Sequence, residues 1–433
     1  MKLLRLILGL CTMVALSSVA ETPKPKRPNV LLIMADDLGA ECLGSYGGQS
    51  YSTPNLDKMA AEGMRFATAY STPLCSPTRV QLMTGRYGFR TGWTNLIGRG
   101  ATGTRLDYFD PNKEITFGHL LKKAGYATAL AGKWQLARFP DHPDHVKQSG
   151  FDTYSCWMWV EDPTGNKATL RYWNPVIWQE GKRLEKEIAD KYGEDVFTEF
   201  LINFMKENKN KPFFAYYPML LTHSPFVPTP DSKESDPKTV RQSPKYFGDM
   251  VAYTDKTVGR LLAALDELGI RENTVIIFTG DNGTPKEITS RAYGLEIPGG
   301  KGTVSHVGSH VPFIVQWKGV TPAGKVVNDP IDLSDVFPTL AELAQTELPK
   351  DRKIDGHSFA PQLRGKEGSP RQWIFSQLQG QRLVRDKRYT LHSDGRMFDV
   401  KKDPLEKKDL SQSVDPKIAK ARKQLQGALA ELR

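Results

Sequence analysis

Cysteine is scarce in this chain, which has four cysteines among 433 residues. One of them, Cys11, lies within the first twenty residues, and the other three cannot build a disulfide framework. A small fold held together by several disulfides is therefore excluded. At most one disulfide can form, and Cys42 with Cys156 is the pair that we expect if one does.

A hydrophobic run long enough to span a bilayer is also lacking. The apolar stretch from Leu6 to Leu16 is too short for that. Lys2 and Arg5 precede it and the small residues from Ser18 to Ala20 follow it, which is typical of a cleaved secretory signal. We therefore predict a signal peptide at residues 1–20 and an exported protein, periplasmic or secreted, without stable membrane insertion.

Acidic residues are fewer than basic ones, 49 against 59, so the formal net charge is +10. Loss of Lys2 and Arg5 with the signal peptide would still leave +8. The basic residues are scattered and no aromatic stripe alternates with them, so the composition does not indicate nucleic-acid binding. The charge favours an anionic partner, such as an acidic or sulfated substrate.

Short apolar, β-branched runs alternate along the chain with segments of helical apolar spacing. The predicted strands are Asn29 to Met34, Ala127 to Ala131, Phe213 to Tyr217, Val275 to Phe278 and Val311 to Gln316. The predicted helices are Asn55 to Glu62, Phe117 to Lys123, Val196 to Glu207 and Asp249 to Leu268. This alternation predicts an α/β fold with a large, mostly parallel sheet sandwiched by helices.

The pattern changes near the C-terminus. From Gln372 onward, short alternating segments and turn signals precede an amphipathic stretch from Pro416 to Leu432. We expect a small antiparallel sheet followed by a helix. After the signal peptide, the predicted division is a large α/β domain at 21–365 and a small α+β subdomain at 366–433.

Polar residues follow directly or closely after four of the predicted strands. In chain order they are Asp36 and Asp37, then Lys133, then His223, and then Asp281 and Asn282. Any one of them alone would be interpreted as a turn residue. Ligands bind at the carboxyl ends of strands in open α/β sheets, so we expect the set to converge. Three converging carboxylates need a cation, and oxygen-only ligands predict Ca²⁺ or Mg²⁺.

Cys75 opens the segment Cys-Ser-Pro-Thr-Arg, which enters a predicted helix. Its position near a helix N-terminus would favour an anion there. On composition alone, Cys75 would be a small buried apolar residue. The spacing Cys-x-Pro-x-Arg, however, is the pattern that is read by enzymes that oxidise cysteine to formylglycine.

Six motifs together carry a family resemblance. They are PNVLLIMADDLG at 28–39, CSPTRVQLMTGRY at 75–87, AGKW at 131–134, HSPF at 223–226, DNG at 281–283 and GGKGT at 299–303. With these motifs, the chain from about Arg27 to the C-terminus resembles the formylglycine-dependent type I sulfatases of the alkaline-phosphatase superfamily. The resemblance implies an alkaline-phosphatase-like fold and a catalytic role for the large domain.

The resemblance also implies a metal site. Asp36, Asp37, Asp281 and Asn282 would hold Ca²⁺, with Mg²⁺ as the alternative, together with the modified Cys75. It further implies a maturation enzyme that generates the formylglycine. The substrate would be a sulfated small molecule or a sulfated polysaccharide.

The catalytic roles are likewise implied by the resemblance. Cys75, as formylglycine, would supply a hydrated aldehyde as the nucleophile. Arg79 and Lys133 would hold the formylglycine and its developing negative charge. His223 and Lys301 would contact the sulfate, and one of the two would protonate the leaving alcohol.

The chain departs from the family pattern at several positions. Gln135 stands where the family usually has a histidine, and His306, Val307 and His310 replace a glutamate, a glycine and an arginine. One hypothesis is that His310 or His306 takes over as the base, and the other is that activity is weak. For the aromatic-rich stretch from Arg171 to Trp173 we expect packing, with a sugar-binding cleft as the alternative.

Two other functions stay open at this point. A phosphonate or phosphodiester hydrolase of the same superfamily would share the acids and the formylglycine. A non-catalytic relative that binds sulfated glycans would keep the fold while Gln135 removes the base.

Overall fold

The computed structural model describes residues 27–98, 107–158, 171–236, 238 and 240–432. The signal peptide predicted at residues 1–20 lies outside the described residues. Within the described residues, no helix is long and apolar enough to cross a membrane.

The described strands are numbered in chain order. They are β1 (Asn29–Ala35), β2 (Met64–Phe66), β3 (Ala69–Tyr70), β4 (Ala127–Lys133), β5 (Thr153–Trp157), β6 (Ile177–Gln179), β7 (Lys182–Arg183), β8 (Phe213–Pro218), β9 (Thr274–Gly280), β10 (Thr289–Ala292), β11 (Leu295–Pro298), β12 (Phe313–Trp317), β13 (Lys325–Val327), β14 (Ile331–Asp332), β15 (Ile374–Leu378), β16 (Gln381–Arg385), β17 (Tyr389–His392) and β18 (Met397–Asp399).

The described α-helices are α1 (Pro54–Glu62), α2 (Cys75–Thr84), α3 (Gly88–Thr91), α4 (Phe117–Lys123), α5 (His145–Gln148), α6 (Gly193–Glu207), α7 (Phe247–Glu267), α8 (His306–Ser309), α9 (Val336–Leu343), α10 (Ala360–Leu363) and α11 (Pro416–Glu431).

The largest sheet contains ten strands in the order β13-β2-β12-β9-β1-β8-β4-β5-β6-β7. Strands β9, β1, β8, β4 and β5 run parallel to one another. Strand β12 is antiparallel to β9, and β6 and β7 continue the other edge in antiparallel pairing. The prediction of a large, mostly parallel sheet is confirmed.

Both faces of the central strand β1 are buried because its side chains alternate between two hydrophobic layers. Leu31 and Ile33 lie in the layer that includes α6 and α7. Val30 and Leu32 lie in the layer that includes α2 and α4. A strand covered on both sides needs apolar residues at successive positions, which explains why this segment does not alternate with polar residues.

The predicted elements are present, with ends shifted by a few residues. Helix α4 has its predicted bounds, and β4 continues two residues further, as far as Lys133. Helix α6 begins at Gly193 rather than at Val196. Glu194 and Asp195 occupy its first turn, where the helix dipole favours carboxylates.

The C-terminal part forms a second, smaller sheet. Strands β15, β16, β17 and β18 pair antiparallel in chain order. Helix α11 contributes Ala421 and Leu425 to the same hydrophobic cluster as Phe375 and Leu391. The predicted antiparallel sheet with a following helix is confirmed.

The three described cysteines are free and buried, so Cys42 and Cys156, the pair that we expected if a disulfide formed, are not joined. Cys156 lies in β5 opposite Gly132 of β4. The Sγ atom of Cys42 lies 3.4 Å from Thr284 Oγ1. The two thiols belong to different parts of the core, and burial raises the pKa of Cys156 well above its ordinary value, which makes it unreactive.

Candidate active site

Two neighbouring parallel strands end at the same level and deliver the acidic side chains. Asp36 and Asp37 follow β1, and Asp281 follows β9, with Ala35 paired to Gly280 across the two strands. All three carboxylates are buried. The backbone N–H of Asp37 donates to Asp281 Oδ1 at 3.0 Å. The three acids therefore form one cluster at the carboxyl edge of the sheet.

Asn282 completes the acidic cluster with an amide. Its Nδ2 atom donates to Asp37 Oδ1 at 2.8 Å and to the carbonyl oxygen of Gly283 at 2.9 Å. Its Oδ1 atom is buried and has no hydrogen-bond partner in the described chain. A buried oxygen without a donor is unusual, so this atom is available to a cation.

Helix α2 begins at Cys75 and carries Arg79 one turn later on the same face. Cys75 is only 1% exposed, and its Sγ lies together with carboxylate oxygens of Asp36 and Asp281, all within 4.8 Å of one another. Arg79 donates from Nη2 to Asp281 Oδ2 at 2.7 Å. The helical spacing thus brings a thiol and a guanidinium to the same acids.

Two lysines pair with the other carboxylates. Lys133, the last residue of β4, donates from Nζ to both oxygens of Asp36, at 2.9 and 2.7 Å. Lys301 donates from Nζ to Asp37 Oδ2 at 2.5 Å. The structure therefore places the residues predicted to hold the cation, together with Cys75, Arg79, Lys133 and Lys301, in or beside one buried cluster.

The three carboxylates of the cluster are not equally neutralised by the basic side chains around them. Burial and the nearby charge of Asp36 raise the pKa of Asp281 to about 7. Burial also acts on Asp36, but Lys133 and the other basic side chains nearby hold its pKa well below the ordinary value. Burial of Asp37 is likewise outweighed by Lys301, which lowers the pKa of Asp37. A divalent cation would remove the repulsion that Asp281 still experiences.

His223 and Lys301 both lie near Asp37 Oδ2 and differ in protonation. Burial and the charge of Arg171 lower the pKa of His223 to about 3, so its ring is neutral at pH 7. Its Nδ1 donates to the carbonyl oxygen of Ser224, which leaves Nε2 as an acceptor 3.7 Å from Asp37 Oδ2. Although burial opposes it, the charge of Asp37 raises the pKa of Lys301, and Lys301 keeps its proton.

A comparison with protein-family models identifies the family of the chain that carries this cluster. The sulfatase family model matches residues 28–346, which include every residue of the cluster. This chain belongs to the sulfatase family. Members of the family hydrolyse sulfate esters, as the resemblance of its motifs implies.

Proteins similar to this chain are also sulfatases or share their fold. The chain is 36% identical over 360 residues to the N-acetylgalactosamine-6-sulfatase of Canis lupus familiaris, covering 79% of this chain and 67% of that protein. It is 30% identical over 430 residues to arylsulfatase D of Homo sapiens, covering 82% and 72%. The crystal structure of Ps i-CgsB with k-i-k-neocarrahexaose has a TM-score of 0.79 and 26% identity, over 94% of this chain and 93% of that one.

The two histidines at which this sulfatase departs from its family form a separate cluster. The rings of His306 and His310 stack with their centroids 4.7 Å apart, and both contact Tyr70. His310 Nε2 lies 3.2 Å from the carbonyl oxygen of Ala67. Within the described ranges, neither ring has a hydrogen bond or ring contact with Cys75 or the acids. The structure therefore does not support the hypothesis that one of them is the base.

Gln135 follows Lys133 by two residues and has a left-handed backbone, with φ of 55°. Its Oε1 atom is buried and has no hydrogen-bond partner among the residues that the structure describes. An amide oxygen accepts hydrogen bonds but does not take up a proton near neutral pH. Gln135 can orient a donor, but it cannot replace a histidine base.

Sequence analysis missed one residue of the cluster. Arg171, for which we expected packing, donates from Nη2 to Asp36 Oδ2 at 2.6 Å. It does not follow directly on a strand that the sequence analysis identified, so the strand-end rule does not single it out. The available signal was an arginine directly before two aromatic residues, Tyr172 and Trp173.

Proposed function

We propose that this sulfatase hydrolyses a carbohydrate sulfate ester with a formylglycine made from Cys75 and a Ca²⁺ ion at the acidic cluster, with Mg²⁺ as the alternative. The observation that carries the proposal is the position of Cys75, whose Sγ lies within 4.8 Å of the carboxylates of Asp36 and Asp281. A thiol is a poor ligand for a hard cation, whereas an oxygen of a hydrated aldehyde matches the carboxylates.

The residues of the cluster fit such a cation. Asp36, Asp37, Asp281 and Asn282 offer hard oxygen ligands, the type that Ca²⁺ and Mg²⁺ prefer. The unpartnered Asn282 Oδ1 and the raised pKa of Asp281 both support a cation at this place. Bound there, the cation would act as a Lewis acid toward sulfate oxygens.

The positive side chains around Cys75 are arranged to stabilise negative charge. Cys75, once converted to formylglycine, would hold the hydrated aldehyde whose hydroxyl is the nucleophile. Arg79 is fixed by Asp281 and by the carbonyl oxygen of Lys133, to which its Nη1 donates at 2.9 Å. Because the positive side chains around Cys75 are buried and already held in place, they stabilise negative charge that develops beside them without reorganisation of solvent.

We assign the proton of the leaving alcohol to Lys301. Its ammonium is the protonated group of the His223–Lys301 pair, and the two side chains are about equally accessible, with 20% of Lys301 and 22% of His223 exposed. His223 is neutral and points Nε2 toward Asp37. In this tautomer His223 has no proton on Nε2 to give to the leaving alcohol.

The substrate class rests on the relatives. One is named as an N-acetylgalactosamine-6-sulfatase, and one structural neighbour was solved with a neocarrahexaose. Both names point to carbohydrate sulfates, so we propose a sulfated saccharide as the natural substrate and aryl sulfates as assay substrates.

Maturation must precede folding if Cys75 is to be modified. Every residue of α2, from Cys75 to Thr84, is buried in the folded protein. An enzyme that reads Cys75, Pro77 and Arg79 therefore needs the unfolded segment. We propose that a formylglycine-generating enzyme acts on the chain before it folds, in association with export directed by residues 1–20.

Two measurements test the proposal. Mass spectrometry of the peptide that contains Cys75 should show the aldehyde in place of the thiol. The purified protein should hydrolyse an aryl sulfate faster than an aryl phosphonate. A thiol peptide in active enzyme would refute the formylglycine, a preference for phosphonate would favour the diesterase alternative, and retention of sulfated glycan without turnover would favour the binding protein.

A further inference from the structure

Arg171 is a buried cation that the proposed reaction does not yet use. Its residue is 7% exposed, and its Nη2 atom lies 2.6 Å from Asp36 Oδ2. The guanidinium carbon lies 4.5 Å from the centroid of the Trp157 ring and 5.5 Å from that of Tyr172. Arg171 thus lies close to two aromatic rings while its Nη2 contacts Asp36 of the acidic cluster.

Asp36 is shared by two strong donors. Lys133 Nζ contacts both of its oxygens, and Arg171 contacts Oδ2. Arg79 Nη2 is more distant, at 3.7 Å from Oδ1. If Lys133 turns toward the formylglycine at position 75, Arg171 is the donor that still holds Asp36 at hydrogen-bond distance.

The two donors differ in freedom. A lysine ammonium sits on a flexible stem and can redirect its three donors, whereas a guanidinium that is stacked on rings keeps its plane. Arg171 Nε is buried and without a hydrogen-bond partner in the described part of the chain, so the contact with Asp36 is its principal polar anchor. The arrangement suits a permanent partner and an exchangeable partner on one carboxylate.

We propose that Arg171 is a positioning residue that keeps the Asp36 carboxylate in place for the cation and thereby releases Lys133 for the negative charge that develops at the formylglycine. This inference rests on the proposed function, because it assumes that Asp36 is a metal ligand and that Lys133 stabilises negative charge at the formylglycine made from Cys75. The inference adds Arg171 to the site as a residue that fixes the position of Asp36.

Loss of Arg171 should affect both Ca²⁺ binding at Asp36 and the availability of Lys133. Partners that orient a metal ligand typically contribute about 10- to 100-fold to metal affinity, so Arg171→Ala should weaken Ca²⁺ binding by about that factor. At saturating Ca²⁺, kcat should fall more than KM changes, because Lys133 remains engaged with Asp36. Arg171→Lys keeps the charge without the planar guanidinium, so its Ca²⁺ affinity should lie between those of Arg171→Ala and the parent.

The test uses the full-length, matured protein. Calorimetric titration with Ca²⁺ gives the affinity without turnover, and aryl-sulfate kinetics at saturating Ca²⁺ give kcat and KM. Millimolar guanidinium chloride should restore part of the Ca²⁺ affinity of Arg171→Ala. The matched control is Arg90→Ala, which removes an arginine that pairs with Asp355 at 2.8 Å, away from the cluster, and should bind Ca²⁺ as the parent does.

The outcomes separate the inference from the proposed function. Weaker Ca²⁺ binding by Arg171→Ala, with rescue by guanidinium, supports a positioning role. Parental Ca²⁺ affinity with a raised KM overturns it, since Arg171 would then contact the substrate. A loss that neither guanidinium nor Arg171→Lys relieves also overturns it, as a sign of general misfolding. If the parent itself does not bind Ca²⁺, the metal site of the proposed function fails instead.

Discussion

At the scale of single residues, the site is a buried cluster in which basic side chains neutralise some carboxylates more completely than others. Lys133 and Lys301 each neutralise one carboxylate at short range. Asp281 has Arg79 beside it but still has a pKa of about 7, because burial and Asp36 outweigh the guanidinium. The residue that remains unbalanced is therefore the one that a cation would stabilise most.

Cys75 is the first residue to test. We expect Cys75→Ala and Cys75→Ser to lower aryl-sulfate turnover by about 10⁴-fold or more, because neither can carry the aldehyde nucleophile. Their unfolding free energies should change by only about 1 kcal/mol, since a small side chain is replaced by another. Steady-state kinetics and urea unfolding measure the two effects. Turnover by either variant near the parental rate would remove Cys75 from the mechanism.

The raised pKa of Asp281 predicts a pH-dependent metal affinity. The metal-free site holds a proton on Asp281 below about pH 7, and a cation must displace that proton. The Ca²⁺ affinity should therefore fall as the pH decreases below about 7, and Ca²⁺ at a hundred times its Kd should add about 2.7 kcal/mol of stability. Thermal melts with chelator and with Ca²⁺ between pH 5 and pH 8 would test this. Asp281→Asn should remove this pH dependence, because the variant has no carboxylate at position 281 to titrate. Asp394→Asn, at an exposed acid, is the control and should keep it.

At the scale of elements, strand ends and helix starts fix the site. The parallel pairing of β1 with β9 brings Asp36 and Asp281 to one level, and α2 turns Cys75 toward them. Strand β4 brings Lys133 to the same edge, and it does so through a close approach at Gly132. The φ of Gly132 is 119°, and a Cβ there would lie 2.1 Å from the carbonyl oxygen of Pro218.

Gly132→Ala should therefore disturb the strand and displace Lys133. We expect a loss of at least about 2 kcal/mol of unfolding free energy, from the steric conflict and the unfavourable φ together, and a fall in kcat. Gly427→Ala is the matched control, because Gly427 lies in α11 with nothing within 4 Å of an added Cβ. That variant should gain about 0.5–1 kcal/mol. Equal effects of both substitutions in urea unfolding would contradict the argument.

At the scale of the whole molecule, Arg371 connects the start of the C-terminal part to the main domain. Its Nε donates to Asp335 Oδ2 at 2.9 Å, and its Nη1 contacts Asp332 at 2.9 Å and Tyr87 Oη at 2.7 Å. All four side chains are buried. A buried pair that loses one partner leaves an uncompensated charge behind.

Arg371→Ala should therefore destabilise the protein by about 3–5 kcal/mol. Arg396→Ala, which breaks the exposed pair with Asp394, should change the unfolding free energy by less than about 1 kcal/mol. Urea unfolding of both variants provides the comparison. A small loss for Arg371→Ala would mean that the two parts of the chain do not depend on this contact.

Acid should weaken the fold through buried histidine. Burial lowers the pKa of His145 to about 4, against 6.5 in an unfolded chain, while its ring accepts from Trp134 Nε1 at 2.9 Å. As the pH falls below 6.5, the unfolded state binds the proton first, so stability is lost between pH 6.5 and about 4, by on the order of 3 kcal/mol. His145→Gln should reduce this slope in pH-dependent urea unfolding. An unchanged slope would show that His145 does not cause it.

The sequence by itself determined the order of five strands of the main sheet, the mostly parallel character of that sheet and the set of strand-end residues, because each depends on spacings within a few positions. The i, i+4 spacing of Cys75 and Arg79 is an example. Tertiary structure alone decided the neutral state of His223, the separation of Cys42 from Cys156 and the isolation of His310. It also decided the contact of Arg171 with Asp36 across 135 positions. These properties depend on burial and on partners distant in the chain, which no local pattern specifies.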